Sequence, residues 1–369
     1  RSCHGQPMPS LPLAGVRVLD MTRLLPGNYA TVTLVEMGAE VIKVEAAQGD
    51  GTRWVGPFLD SGESGAFVQL NRGKGSVVLD LKDPAGAAEF ATWIADSDVL
   101  VDSFRPGVLD RLGFSQEQLR ALRENLVHVS IDAYGSGGEL EQVPGHDLNA
   151  LGYAGVLTLA GDPALPGLQV ADLAAGLHAA LAVLAGLRVA SSGEFARYEV
   201  SMVDSALAMA QLPLGGWLAS GQSPSTPWDL TGRWACYDVY QCADERWITV
   251  GALEPKFFGQ ILDSLGLGDW KVSQYDGSRQ EALRQVLREV FGAQPRSHWL
   301  DLLARADTCV GPALTLAEAM QHPNLVQRSI LRTVRASDGS LHEVFPALPW
   351  LPSAPEVSPG APGLGVSGT

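Results

Sequence analysis

A chain of 369 residues, 46% hydrophobic and 18% charged, is long enough for about two domains and apolar enough to bury a sizeable core. Its 41 acidic and 26 basic residues give a formal net charge of −15, which argues against nucleic acid or an anionic membrane as the main partner. An anionic ligand would therefore need a local basic pocket. The four cysteines form no Cys-x-x-Cys pair, so we expect neither a zinc site nor a disulfide framework, and we expect a cytoplasmic location.

The first 130 residues alternate short apolar runs with helical segments. Helices are predicted over 28–37 and 84–95, the second opened by Pro84. Five buried strands are predicted, over 16–20, 41–44, 76–81, 98–102 and 126–131. Strands that alternate with helices form βαβ units, so the pattern predicts a mostly parallel, Rossmann-like sheet.

After Gly135 the chain becomes rich in Ala and Leu. Three helical segments are predicted, over 148–157, 172–189 and 198–218. The most apolar run, 168–190, is interrupted by one acidic residue, one histidine and one arginine. It is therefore predicted to be a buried helix and not a membrane span.

A Pro-, Ser- and Gly-rich stretch at 220–227 marks a predicted domain boundary. Beyond it, a strand over 247–250 and helices over 255–265 and 279–291 predict a smaller α+β unit, and the tail from Pro346 is expected to be coil. The predicted organisation is a large domain, a helical linker, a small domain and a final segment, over 11–197, 198–227, 228–318 and 319–369.

Common nucleotide and hydrolase motifs are missing. Gly-Ser-Gly-Gly at 135–138 approaches the dinucleotide fingerprint, but Leu140 occupies the third glycine position and Pro144 follows in place of a helix. The sequence also lacks a P-loop, a Gly-x-Ser-x-Gly elbow and a His-Glu-x-x-His helix. The predicted sheet must therefore bind something other than a nicotinamide or flavin.

Two short segments place polar residues at the start of a predicted helix. In Pro-Gly-His-Asp-Leu-Asn at 144–149, local pattern alone favours Asp147 or Asn149 as a helix cap and His146 as a turn residue. Asp172 precedes small residues and fits two interpretations equally. It is either an N-cap or a functional group at a helix N-terminus, where free N–H groups can stabilise a developing anion.

Several segments occur in a specific order along the chain. They are Leu-Ala-Gly-Val-Arg-Val-Leu-Asp at 13–20, Pro-Gly at 26–27, Gly-Ala-Glu-Val-Ile-Lys-Val-Glu at 38–45, Leu-Asn-Arg-Gly-Lys at 70–74, Ser-Val-Val-Leu-Asp-Leu-Lys at 76–82 and Phe-Arg-Pro-Gly at 104–107. Each is weak alone, but the ordered set resembles the family III CoA transferases, which include formyl-CoA transferase and α-methylacyl-CoA racemase. The resemblance covers nearly the whole chain, over 13–334.

The resemblance implies an interlocked homodimer whose final segment returns to the large domain, with no cofactor beyond the CoA of the substrate and no metal. The aspartate matched by Asp172 looks like the transferase nucleophile, which forms an aspartyl-CoA thioester, and like one of two bases in racemases. The racemases place their second base at the position of His146, where many transferases carry tyrosine. The stretches 250–257, which includes Glu254, and 306–312 resemble the racemase branch.

We therefore predict an acyl-CoA enzyme that epimerises 2-methylacyl-CoA thioesters. His146 and Asp172 would take and return the α-proton, and Glu254 would fix the tautomer of His146. The N–H groups that open the Asp172 helix are candidates to stabilise the enolate oxygen. The alternatives are a CoA transferase that uses Asp172 as nucleophile and a CoA-binding protein without turnover.

Four basic residues are candidate ligands of the CoA phosphates, and for each a structural ion pair is the competing interpretation. They are Lys43, Arg72, Lys74 and Arg105. Departures from the racemase pattern at Ala150 and in the loop 232–236 predict a differently shaped acyl pocket, so the acyl group is not specified.

Overall fold

The computed structural model divides the chain into two compact units. It describes residues 11–223, 228–304, 307–351 and 357–365. The first unit contains the chain up to Val156, residues 166–210 and the segment from Ser329 onward, and the second contains 157–165 and 211–328. The division between Ala210 and Gln211 falls within the predicted linker over 198–227.

The first unit is built on a six-stranded parallel sheet. Its strands are β1 Arg17–Met21, β2 Glu40–Glu45, β3 Gly75–Val78, β4 Val99–Asp102, β5 Val127–Asp132 and β6 Ala196–Ser201. The spatial order is β3-β2-β1-β4-β5-β6, and all neighbouring strands are parallel. The predicted Rossmann-like sheet is confirmed. The sixth strand is a correction, because a helix was predicted to begin at residue 198.

The strand order reverses between β1 and β4. In open α/β sheets, ligands bind beyond the carboxyl ends of the strands at such a reversal. The residues that follow β1, β4 and β5 are therefore placed where a binding site is expected.

Helices cover both faces of this sheet. They are α1 Leu24–Glu36, α2 Gly65–Asn71, α3 Pro84–Ala95, α4 Val108–Arg111, α5 Gln116–Leu122, α6 Asp147–Tyr153, α7 Val170–Ala190 and α8 Met202–Met209. By length and composition α7 could cross a membrane, but in this unit it packs against α1, β5, β6 and α8. Gly176 permits the contact with α1, since a Cβ there would lie 2.7 Å from the Pro26 carbonyl oxygen.

The final segment packs on the first unit. It forms β10 Arg332–Arg335, β11 Leu341–Val344 and β12 Val357–Pro359, in the order β11-β10-β12. Val334 and Val344 pack with Val68 of α2. Beyond β12, the Gly360 carbonyl accepts the Gly73 N–H at 2.9 Å. The tail was predicted to be coil throughout, and β12 corrects that prediction.

The second unit combines a small antiparallel sheet with helices. The strands β7 Tyr237–Gln241, β8 Trp247–Gly251 and β9 Val310–Ala313 pair in that order. The helices are α9 Gln211–Ser220, α10 Pro255–Ser264, α11 Gln280–Gly292, α12 Arg296–Trp299, α13 Leu316–Met320 and α14 Pro323–Gln327. Leu283, Leu287 and Phe291 recur at helical spacing on α11 and bury one face of it in the core of this unit.

Candidate active site

A cavity of about 330 Å³ lies at the carboxyl ends of the strands of the first unit. It is lined by residues that follow β1, β4 and β5, by the loop before α6 and by the starts of α7 and α8. His146, Asp172 and Arg105 all line it. The structure thus brings together both predicted bases and one predicted phosphate ligand.

The position of His146 follows from its neighbours in the chain. A Cβ at Gly145 would lie 2.5 Å from the Tyr134 hydroxyl oxygen, so only glycine lets the chain pass so close to that ring. His146 then adopts an extended backbone immediately before α6, and its N–H donates to Asn149 Oδ1 at 3.1 Å. Its side chain is exposed, which leaves the imidazole accessible to a substrate.

Asp147 caps a helix, but not the one that it begins. Its buried Oδ1 accepts the N–H groups of Ala171 at 2.7 Å and of Asp172 at 3.1 Å, in the first turn of α7. The N–H groups that open this helix were the predicted candidates to stabilise an enolate oxygen. For Ala171 and Asp172 that prediction needs correction, because both N–H groups already donate to a carboxylate.

Asp172 is half-buried in the first turn of α7. Burial, together with the negative charge of Asp147, raises the pKa of Asp172 to about 7. A carboxyl group with such a pKa is populated in both protonation states near neutral pH. It is therefore suited to take a proton in one direction of a reaction and to give it back in the other.

Two guanidinium groups supply positive charge to this cavity. Arg105 is exposed after β4 and donates to the Gln142 carbonyl at 3.2 Å. Arg23, which the sequence analysis missed, lines the same cavity and also a neighbouring one of about 440 Å³. Its position could have revealed it, because Arg23 follows the carboxyl end of β1 and ligands bind at the carboxyl ends of parallel strands.

Two of the predicted phosphate ligands are instead part of a buried network. Lys43 Nζ lies 3.0 Å from Asp50 Oδ2 and donates to Asn28 Oδ1 at 2.6 Å, although Lys43 also lines the larger cavity. Lys74 Nζ lies 3.0 Å from Asp20 Oδ2. Burial lowers the pKa of Lys74 to about 8. At Asp20, burial raises the pKa, but the two ammonium groups and the hydroxyl groups of Thr22 and Thr31 together hold it well below the ordinary value.

Arg72 is also engaged within the protein. Its buried guanidinium pairs with Glu36 of α1 and donates to the Gln69 carbonyl. The same Glu36 carboxylate accepts the N–H groups of Ala347 at 2.9 Å and Leu348 at 2.7 Å. Arg72 therefore helps to hold the final segment on the first unit. Its contacts agree with a structural ion pair, the alternative to a phosphate ligand.

A strained residue forms part of the cavity wall. Leu24 has φ of 61°, in the left-handed region that costs a non-glycine residue about 1–3 kcal/mol. Its N–H donates to Asp50 Oδ2 at 3.3 Å, and Asp50 is itself held by Lys43. The buried network thus supports the backbone of the site without supplying a free cation to it.

Glu254 lies in the second unit. It is exposed and directly precedes α10, where its carbonyl accepts the Phe257 N–H at 3.0 Å. His146 and Asp172 belong to the first unit. The contact of Glu254 with His146 therefore stays a prediction.

Comparison with known proteins identifies the family. The model of CoA-transferase family III matches residues 13–367. The chain belongs to this family. Acetyl-CoA:oxalate CoA-transferase of Acetobacter aceti is 33% identical over 88% of this chain and 86% of its own length. Human α-methylacyl-CoA racemase is 30% identical over 89% of this chain and 84% of its own length.

Solved structures share the fold. Rv3272 from M. tuberculosis superposes with a TM-score of 0.81 at 28% identity and covers 97% of this chain and 98% of its own. A CaiB/BaiF family protein from Brucella suis superposes with a TM-score of 0.80 at 26% identity, over 92% of this chain and 96% of its own. The predicted family is confirmed, and this family III protein is an enzyme of acyl-CoA chemistry.

Proposed function

We propose that this family III enzyme epimerises 2-methylacyl-CoA thioesters with Asp172 and His146 as its two bases. The observation that carries the proposal is that both side chains line one cavity, with the pKa of Asp172 raised to about 7. A thioester α-proton is a weak acid, so inversion needs a base on one face and a proton donor on the other. A carboxylate and an imidazole that can exchange these roles meet that need.

In the proposed reaction one base removes the α-proton and leaves an enolate, and the protonated partner returns a proton to the opposite face. Starting from the other epimer, the two groups exchange roles. Glu254 is proposed to orient His146 and stabilise its charged form. Arg105 is the proposed ligand of a CoA phosphate, and CoA enters as part of the substrate.

The test is α-proton exchange in heavy water, run on both epimers of a 2-methylacyl-CoA. The proposal predicts that each epimer exchanges its α-proton for one deuteron, together with interconversion of the two. Absence of exchange, combined with transfer of CoA from an acyl donor to a free acid, would replace the proposal with a transferase. CoA binding with neither activity would contradict both reactions.

Transfer of CoA between carboxylic acids is the second candidate, favoured by the relative named acetyl-CoA:oxalate CoA-transferase. In that reaction an oxygen of Asp172 attacks the thioester carbonyl, CoA thiolate leaves, and a mixed anhydride forms. The thiolate then attacks the Asp172 carbonyl and releases the donor acid, which leaves an aspartyl-CoA thioester. His146 has no required role in these steps.

Arg105→Ala is expected to weaken binding of CoA, since a lost charge-assisted hydrogen bond to a phosphate costs roughly 1.5–3 kcal/mol. Calorimetric titration with CoA and with a short pantetheine thioester measures the effect. The loss should shrink for the pantetheine ligand, which lacks the 3′-phosphate and the pyrophosphate. Arg188→Ala is the control, because Arg188 is exposed and bonds locally to Ser191. Equal losses for both ligands would mean that Arg105 is structural.

We further propose that the enzyme is a homodimer. None of the described residues of α9 is buried, and Leu212, Trp217 and Leu218 are 67%, 54% and 80% exposed. Such an exposed apolar surface is typical of an interface. Light scattering after size exclusion should give twice the chain mass, and the mass should persist on dilution. A well-behaved monomer at low concentration would contradict the dimer.

A further inference from the structure

Asp147 links the two elements that carry the proposed bases. It follows His146 directly in the chain, and its carboxylate accepts the N–H of Asp172 and of the residue before it. We propose that Asp147 is a positioning residue that holds Asp172 and His146 in a fixed relation across the cavity. This inference rests on the proposed function, because it assigns a role beside the two groups on which that function depends.

The Asp147 carboxylate caps the start of α7. Within the described residues, Gln169 makes no side-chain cap at the start of α7, and the Asp147 carboxylate caps that helix from 25 residues away along the chain. A buried carboxylate that accepts two N–H groups at the positive end of a 21-residue helix is strongly held. The start of α6, and His146 with it, is thereby tied to the start of α7.

Asp147 also acts on Asp172 through its charge. Other titratable or charged groups line the cavity or lie on the helices packed against α7. They are Arg23, Arg105, Asp132, Tyr134, Glu141 and His146 in the cavity, Tyr29 and Glu36 on α1, Tyr153 on α6 and Asp204 on α8. After burial, the charge that raises the pKa of Asp172 is that of Asp147. One residue therefore both places Asp172 and favours its protonated form.

Two substitutions separate these effects. Asp147→Asn keeps an oxygen acceptor for the two N–H groups and removes the negative charge, whereas Asp147→Ala removes both. Asp83→Asn is the matched control, since Asp83 is an exposed aspartate that precedes α3 and makes no side-chain bond to that helix. Thermal melting establishes that each variant is folded.

The first measurement needs no turnover. The carboxyl carbon of Asp172 is titrated by NMR in protein labelled with ¹³C-aspartate, and its signal is assigned by its loss in Asp172→Asn. In Asp147→Asn the titration of Asp172 should move to lower pH, and in Asp83→Asn it should match the wild type. An unchanged titration in folded Asp147→Asn would overturn the proposal. Because no substrate is present, this result does not depend on whether the proposed reaction is right.

The second measurement is the rate of α-proton exchange against pH. Asp172 must be ionised to accept a proton, so a lower pKa moves the acidic limb of the Asp147→Asn profile to lower pH. This variant should keep most of the rate above that limb. Asp147→Ala should lose roughly 100-fold at every pH, as expected when a reacting group is misplaced by about 1 Å. If both variants lost the same fraction of the exchange rate and their pH profiles were unshifted, Asp147 would have only a structural role.

Discussion

Asp172→Asn is expected to abolish interconversion of 2-methylacyl-CoA epimers. The amide has nearly the same shape as the carboxylate but neither accepts nor returns a proton, and a single acid–base group contributes ~10²–10⁴ in rate. Chiral analysis of the product measures the loss. Exchange of the α-proton with deuterium should survive from one epimer only, because His146 still serves one face.

The melting temperature of Asp172→Asn shows whether the variant is still correctly folded. The pKa of Asp172 lies near 7 in the folded protein, above its ordinary value of 3.8, so the folded state favours the protonated form. The stability that this shift gives is fully present below pH 3.8 and is lost as pH rises through 7. A neutral asparagine avoids that loss, so the variant should melt no lower than the wild type at pH 8. A clearly lower melting temperature would mean that the lost activity reflects damage to the fold.

His146→Ala is expected to abolish interconversion as well, and to leave exchange from the opposite epimer. The imidazole is exposed and the hydrogen bond to Asn149 comes from the backbone N–H, so the substitution should change the free energy of unfolding by less than about 0.5 kcal/mol. Mass gain in heavy water, followed separately for each epimer, gives the result. His298→Ala, an exposed histidine of the second unit, is the control.

The pair of variants also separates the two proposed reactions. A transferase needs the Asp172 carboxylate to form a covalent bond, whereas His146 has no required step. CoA transfer that survives His146→Ala and is lost in Asp172→Asn would therefore reject the racemase. Loss of epimerisation in both variants, with exchange confined to opposite epimers, would reject the transferase.

The parallel sheet was predictable because strands buried on both faces are nearly continuous runs of Val, Ile and Leu. β1, β2 and β4 are rich in these residues, β3 ends in two valines and β5 carries them at every second position. Each of the five predictions fell within a few residues of the observed strand. β6 is an edge strand with Arg197, Tyr198 and Glu199 in its centre, so its sequence lacks the pattern. It was therefore assigned to the amphipathic segment that follows. β7 and β9 are short and mix polar with apolar residues, so no strand was predicted at either place.

The candidate site was predictable only where family resemblance supplied the positions. The resemblance implied roles for His146, Asp172 and Arg105, and the structure places all three in one cavity. Residue type alone did not reveal that Lys43 and Lys74 lie in a buried network, since the fold brings both of them to Asp20 from other parts of the chain.

The capping role of Asp147 was hidden for a related reason. Local pattern associates a cap with the helix that follows it in the chain. The N–H groups that donate to Asp147 lie at the start of α7, and only tertiary packing brings α6 and α7 together.

A crystal structure with a bound 2-methylacyl-CoA would show whether both bases reach the substrate. We expect the α-carbon to lie within reach of both the Asp172 carboxylate and the His146 imidazole, on opposite faces, with Asp147 still bonded to the start of α7. An α-carbon within reach of only one of these groups, or CoA joined covalently to Asp172, would contradict the two-base proposal.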